Sequence, residues 1–169
     1  MTLPVVLLLR PPGPARVDSA APRGEALAAC RDLVAGLPAE LDGAARREVE
    51  PDDGTTAAWG DPAIVLRCGA APPDPVTVQC VAVDGVDWAF LRRGEDAGEG
   101  HAGGHTGHGA DAAGPAPFGF AFRTYGRDPV VEVVVPPEHA PEAEVLVPLA
   151  GHVAPVPRTG IECVGPSGG

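Results

Sequence analysis

The sequence predicts an α+β fold in which one amphipathic N-terminal helix packs on an antiparallel sheet of about five strands, with disulfides as staples. Three observations support this prediction. An amphipathic segment of helical periodicity begins at Gly24, runs of strand length follow it in pairs, and four dispersed cysteines make an even count. A helix followed by hairpins is typical of an antiparallel sheet that packs one face on helix.

The chain is expected to hold one domain at 24–164, which includes a disordered Gly/His-rich insert at 94–116. A truncated hydrophobic segment and a proline-rich tether precede the domain at 1–23, and a flexible tail follows it at 165–169. The ordered part is therefore large enough for one hydrophobic core, with little to spare.

The helix is predicted from apolar side chains that recur at helical spacing. Glu25 lies near its positive end, and Gly36 and Pro38 end the regular part. Cys30 is expected on its buried face. The apolar positions are Leu27, Cys30, Val34, Leu37 and Leu41.

Strands are predicted where β-branched or apolar runs of strand length are bounded by turn residues. The clearest signal is Asp84-Gly85, a type I′ hairpin dipeptide between two apolar runs. The segment "EVLVPLAGHVAPV" is expected to form a last short strand or a helix. The predicted strands are a short one in "ARREVEP", then 63–68, 76–83, 86–92, 118–124 and 130–135.

The four cysteines form no C-x-x-C pair, so their spacing matches neither a zinc ribbon nor a thioredoxin-type motif. An even count in a small, loop-rich chain favours two disulfides and an oxidising compartment over four buried thiols. Among three connectivities we choose Cys30–Cys68 and Cys80–Cys163. The first joins the helix to a strand, and the second ties the C-terminal tail to the hairpin.

The compartment is also indicated by "LPVVLLL" at 3–9, an apolar run too short to span a membrane. We expect the native product to start upstream with a longer hydrophobic segment, which leaves residues from about 24 onward extracytoplasmic, either membrane-anchored or secreted. Contact with the membrane is expected only through that anchor. The formal net charge of −11 argues against nucleic acid and anionic lipid as partners.

Catalytic motifs are scarce. The two serines, Ser19 and Ser167, lie in predicted tails, and the sequence holds no P-loop, H-E-x-x-H or strand-linked G-x-G-x-x-G. An enzyme of unknown class is therefore the third hypothesis, behind two kinds of binding protein.

The stretch "AAWGDPAIVLRCG" is the candidate binding segment. One interpretation is a tight turn in which Trp59 caps the core and Asp61 hydrogen-bonds the backbone. The other is a surface pocket formed by Trp59, Asp61 and Arg67, joined by Arg127 from a later turn. Both interpretations stay open on the sequence.

The tract "HAGGHTGHG" carries His101, His105 and His108, which could converge on Zn²⁺, Cu²⁺ or Ni²⁺. The surrounding glycines oppose the helix that would place these imidazoles on one face, and closing a glycine loop costs backbone entropy. We expect a disordered connector that binds Zn²⁺ or Cu²⁺ weakly, and no other cofactor. A dedicated extracytoplasmic metal site here is the alternative function.

Five segments together resemble the DUF3515 family of actinobacterial proteins over roughly residues 30–150: "CRDLVAGLP", "RREVEP", "AAWGDPAIVLRCG", "VDGVDW" and "YGRDPVVEVVVP". Members typically have an N-terminal hydrophobic anchor and an extracytoplasmic domain, so the resemblance implies the same placement here. It implies no activity. The function expected first is therefore a cell-envelope-associated domain that binds an unidentified envelope component or gives structural support.

Overall fold

The computed structural model describes residues 11–74, 79–92 and 119–163. Its secondary structure consists of strands, two α-helices and two short 3₁₀ turns at Pro137–His139 and Glu142–Val145. In chain order the strands and α-helices are β1 (Ala15–Arg16), α1 (Gly24–Ala35), β2 (Glu40–Leu41), β3 (Ala44–Arg47), β4 (Val49–Glu50), β5 (Thr56–Trp59), β6 (Ile64–Ala70), β7 (Gln79–Val83), β8 (Val86–Arg92), β9 (Phe120–Thr124), β10 (Val130–Val135) and α2 (Leu146–Val153).

The α+β class is confirmed, but the sheet is larger than predicted. It has eight strands in the order β2-β3-β5-β6-β10-β9-β8-β7, all paired antiparallel, whereas the sequence predicted about five. The helix α1 is also not the first element, because β1 precedes it. Two-residue strands such as β2 are too short to show a period of two, and the four residues of β5 are all buried, which removes the alternation of polar and apolar residues.

The helix α1 has the predicted position and buried face. Its buried residues are Cys30 and Val34, and Gly36 ends it by donating its N–H to the carbonyls of Asp32, Leu33 and Val34. Cys30 forms a disulfide with Cys68, with a Cα–Cα distance of 5.4 Å. The predicted staple between this helix and β6 is therefore present.

The main core lies between the two helices and one face of the sheet, here called the first face. The segment that the sequence left as a strand or helix is α2, which buries residues at helical spacing. The largest side chains in this core are Trp59, Trp88 and Phe122, all of them fully buried. The α2 residues in the same core are Leu146, Leu149, Ala150 and Val153.

The opposite face of the sheet, here called the second face, is covered in part by β1. The sequence analysis assigned residues 15–17 to the tether, but Ala15 and Val17 are buried against Ala58 and Val65 of the sheet. The N–H of Ala15 donates to the carbonyl of Glu48, just before the parallel strand β4, at 2.7 Å, and that of Val17 donates to the carbonyl of Glu50 in β4 at 3.1 Å. The proline-rich composition predicted a solvated tether. The side chains of Ala15 and Val17, however, are two residues apart and therefore point to the same side of the strand, where they can be buried together.

The C-terminal segment is held by the second disulfide, Cys80–Cys163, with a Cα–Cα distance of 6.1 Å. The N–H of Cys163 also donates to Oδ2 of Asp87 at 3.3 Å. Both disulfides thus match the connectivity chosen from the sequence. The run at 3–9, the insert at 94–116 and the tail at 165–169 lie outside the described residues.

None of the helices in the described ranges has the length and apolar character needed to span a membrane.

Candidate functional site

A row of polar side chains crosses the second face. The strand registers place Thr56, Arg67, Glu132 and Arg123 opposite one another on β5, β6, β10 and β9. Nη2 of Arg67 donates to Oε1 of Glu132, and Nε of Arg123 donates to Oε2 at 2.6 Å. We call these three residues the Arg67 triad.

The central carboxylate of the triad is buried, with 3% of its side chain exposed. Burial acts to raise the pKa of Glu132, but the charge of Arg67 and the hydrogen bonds from Arg123 and Arg67 outweigh it. Its pKa therefore lies below that of an ordinary glutamate, and the group is ionised at neutral pH. Two guanidinium groups face one carboxylate, which leaves the triad with one surplus positive charge.

A groove of about 370 Å³ runs beside β1 on this face. Its floor is largely apolar, β1 and its neighbours form one wall, and Arg67 of the triad lies at one end. We call it the β1 groove. It is lined by Pro14, Ala15, Arg16, Val17, Asp18, Arg47, Asp61, Pro62, Ala63, Val65, Arg67, Val134 and Pro136.

The end of the groove away from Arg67 is built by Arg47. Its Nη1 donates to the carbonyl of Gly60 at 2.8 Å, and its Nη2 donates to the carbonyl of Gly13 at 2.5 Å. Asp61 pairs with Arg47 at 3.5 Å, but 69% of the Asp61 side chain is exposed, so this ion pair contributes little to stability. The backbone contacts of Arg47 hold the incoming chain against the turn after β5.

The strand β1 presents an open edge. The N–H groups of Ala15 and Val17 point towards β4, so the N–H and carbonyl of Arg16 point the opposite way. The carbonyl of Asp18, two residues later on that same side, accepts a hydrogen bond from Nη1 of Arg67 at 3.5 Å. Within the described ranges β1 pairs with β4 alone. The open edge therefore borders the groove on the side of Arg67.

Of the four residues in the predicted pocket, the structure brings Asp61 and Arg67 to this groove, one at each end. Trp59 lies elsewhere. It is fully buried in the main core, donates its indole N–H to the carbonyl of Pro38 at 3.0 Å, and has the Arg46 guanidinium 6.0 Å from its ring centre. This placement agrees with the interpretation of Trp59 as a core residue.

Arg127 also lies away from the groove. It is 5% exposed, its Nη1 donates to the carbonyls of Ala154 and Val156 at 2.6 Å each, and its Nη2 donates to that of Gly85 at 3.3 Å. Burial and the nearby Arg158 lower the pKa of Arg127, although a guanidinium stays charged at neutral pH. Arg127 thus fixes the chain that follows α2.

Sequence reasoning missed Glu132, Arg123 and the edge of β1. Glu132 had a signal, because a single carboxylate inside "VVEVVV" must be paired if the strand is buried. Its partners could not be named from the sequence, since they depend on the register of two neighbouring strands.

His101, His105 and His108 lie outside the described residues, so the metal site and the weak binding of Zn²⁺ or Cu²⁺ stay predictions. The rest of the chain, as far as the structure describes it, contains no group of three or more metal-ligating side chains.

Fold and site together define a disulfide-bonded α+β domain with a strand-edged groove on the sheet face opposite its helices. The sequence profile of a family described as "Protein of unknown function (DUF3515)" matches residues 8–158. The chain therefore belongs to the DUF3515 family, which confirms the resemblance and extends it at both ends. The searches of curated proteins and of solved structures gave no match.

Proposed function

We propose that this chain is an extracytoplasmic, cell-envelope-associated domain that acts by binding an extended ligand in the β1 groove. The single observation behind the binding role is the groove itself: a concave, mainly apolar surface with charged groups at both ends and an open strand edge along one wall. Ligand sites in proteins combine these features in cavities of comparable volume.

The proposed compartment is supported by the two disulfides. Each joins elements far apart in the chain, with sequence separations of 38 and 83 residues. Such bonds persist in oxidising compartments, whereas cytosolic thiols are kept reduced. A small domain with one core also gains most from such staples.

Thiol trapping in intact cells tests the compartment. Cells of the native host are quenched in acid, and the protein is denatured and treated with a maleimide that adds mass, with and without prior reduction. We expect modification of the four cysteines only after reduction. Added protease should also degrade the protein in intact cells while a cytoplasmic marker survives. Four reactive thiols without reduction, or protection from protease, would contradict export.

A thermal-shift screen against soluble cell-wall fragments tests the binding role. Ala63→Leu places a larger side chain on the floor of the groove, and Ala28→Leu adds the same volume to an exposed position of α1 as the matched control. We expect at least one fragment to raise the Tm of the wild type and of Ala28→Leu, but not that of Ala63→Leu. An equal response of all three proteins would place binding outside the groove.

A further inference from the structure

We propose that the β1 groove binds a peptide of about four residues in extended form, which adds to the open edge of β1 and places its free C-terminal carboxylate on Arg67. The proposal rests on the proposed function, in that it takes the β1 groove as the binding site, and it adds the chemical class and direction of the ligand.

The open edge of β1 determines that the ligand is a peptide. Arg16 offers one N–H and one carbonyl on the side that faces the groove, and the carbonyl of Asp18 lies on the same side. An added strand satisfies such groups with its own main chain, and this mode of binding gives affinity with little demand on sequence. A ligand without a regular series of donors and acceptors could not pair with this edge.

The length of the peptide follows from the floor of the groove, which is lined by Ala63, just before β6, and by Val65 and Arg67 of β6. Four strand steps of about 3.3 Å span about 13 Å, the length of four extended residues. The floor between these ends carries small and medium apolar side chains, Val65 and Val134 among them. Small apolar residues of the peptide fit this surface.

The surplus positive charge of the triad determines the direction in which the peptide lies along β1. Arg67 is oriented by buried Glu132, which it shares with Arg123, and 19% of its side chain remains exposed at the groove. A peptide carboxylate would supply the missing negative charge through charge-assisted hydrogen bonds. Asp18, which follows β1 in the chain, lies at the same end of the groove as Arg67. A peptide with its C-terminus on Arg67 therefore runs parallel to β1, with its N-terminal end towards Arg47 and Asp61.

Isothermal titration of the full, disulfide-intact chain tests the proposal with three matched probes. The first is N-acetylated tetra-alanine with a free carboxylate, the second is its C-terminal amide, and the third is the free acid with methylated peptide nitrogens. We expect the first to bind at least about tenfold tighter than either of the others, because each loses one of the two recognition elements.

Two arginine variants and the blocked groove complete the test. Arg67→Lys keeps the charge but loses the planar fork, so the preference for acid over amide should shrink, whereas Arg23→Lys at an exposed position should leave it unchanged. Ala63→Leu should weaken binding of the free acid.

Equal affinities for acid and amide, or for methylated and unmethylated acid, would overturn the proposal. If no peptide binds but a cell-wall fragment stabilises the wild type and not Ala63→Leu, this proposal fails and the proposed function stands. If neither kind of probe binds, both fail.

Discussion

Replacing Glu132 by glutamine removes the charge at the centre of the triad while keeping its shape. Two charge-assisted hydrogen bonds, from Arg67 and Arg123, contribute about 1.5–3 kcal/mol each. The glutamine side chain keeps one acceptor, its amide oxygen. It also no longer places a charge in the protein interior, and this offsets part of that loss. Because Arg67 and Arg123 are 19% and 29% exposed, solvent screens their mutual repulsion.

The expected net loss for Glu132→Gln is about 2–3 kcal/mol of unfolding free energy at pH 7. In a domain of this size it lowers the Tm by about 5–10 °C. Urea denaturation without reductant measures the loss, and Glu144→Gln, at an exposed position of the second 3₁₀ turn, is the matched control.

The pH dependence of the unfolding free energy shows how much of the loss comes from the charge of Glu132 and how much from the shape of its side chain. Its pKa is depressed in the folded state, so its stabilising contribution is complete above the unfolded pKa of about 4.3 and is lost as the pH falls through the folded pKa. The difference between wild type and Glu132→Gln should therefore shrink below about pH 4. The pKa of Asp53 is also lowered, since hydrogen bonds from Ser19 and Thr55 outweigh its burial, but this effect is common to both proteins and cancels. A variant as stable as the wild type at pH 7, or a difference at pH 3 as large as that at pH 7, would refute this account of the triad.

Three further predictions concern the rest of the fold. Replacing both Cys30 and Cys68 by alanine should cost about 4 kcal/mol in urea denaturation, because the bond closes a loop of 38 residues; a loss below 1 kcal/mol would contradict it. Gly126→Ala should lower the Tm and expose the C-terminal segment to limited proteolysis, since φ is +66° and an added Cβ would overlap the carbonyl of Ile161; an unchanged cleavage pattern would count against this contact. Trp59→Phe should cost at least about 1–2 kcal/mol, because the part-buried carbonyl of Pro38 loses its donor and the fully buried ring loses volume; an unchanged urea midpoint would contradict this.

The parts of the fold that the sequence predicted are those with local signals. The helix α1 has its apolar stripe and closing Gly36, and the hairpin of β7 and β8 turns at Asp84-Gly85, where both residues have positive φ. The disulfides could be paired because each choice followed from which elements would dock.

The groove could not be predicted, because it depends on pairings between distant segments. β1 is two residues long and lies in a proline-rich stretch, so nothing local indicated that it pairs with β4. The neighbours of Glu132 likewise depend on a register in which Arg67 and Arg123 meet it from either side. A shift of one residue on either strand would move those arginines to the first face.

The most direct test of a binding role for the β1 groove is methyl NMR during titration with the free-acid peptide and with the fragment that gives the largest thermal shift. Val65 and Val134 report on the groove floor, and Leu149 reports on the main core on the other face. We predict saturable shifts at Val65 and Val134 with little change at Leu149. Saturable shifts centred elsewhere, or none with either ligand, would contradict a binding role for this groove.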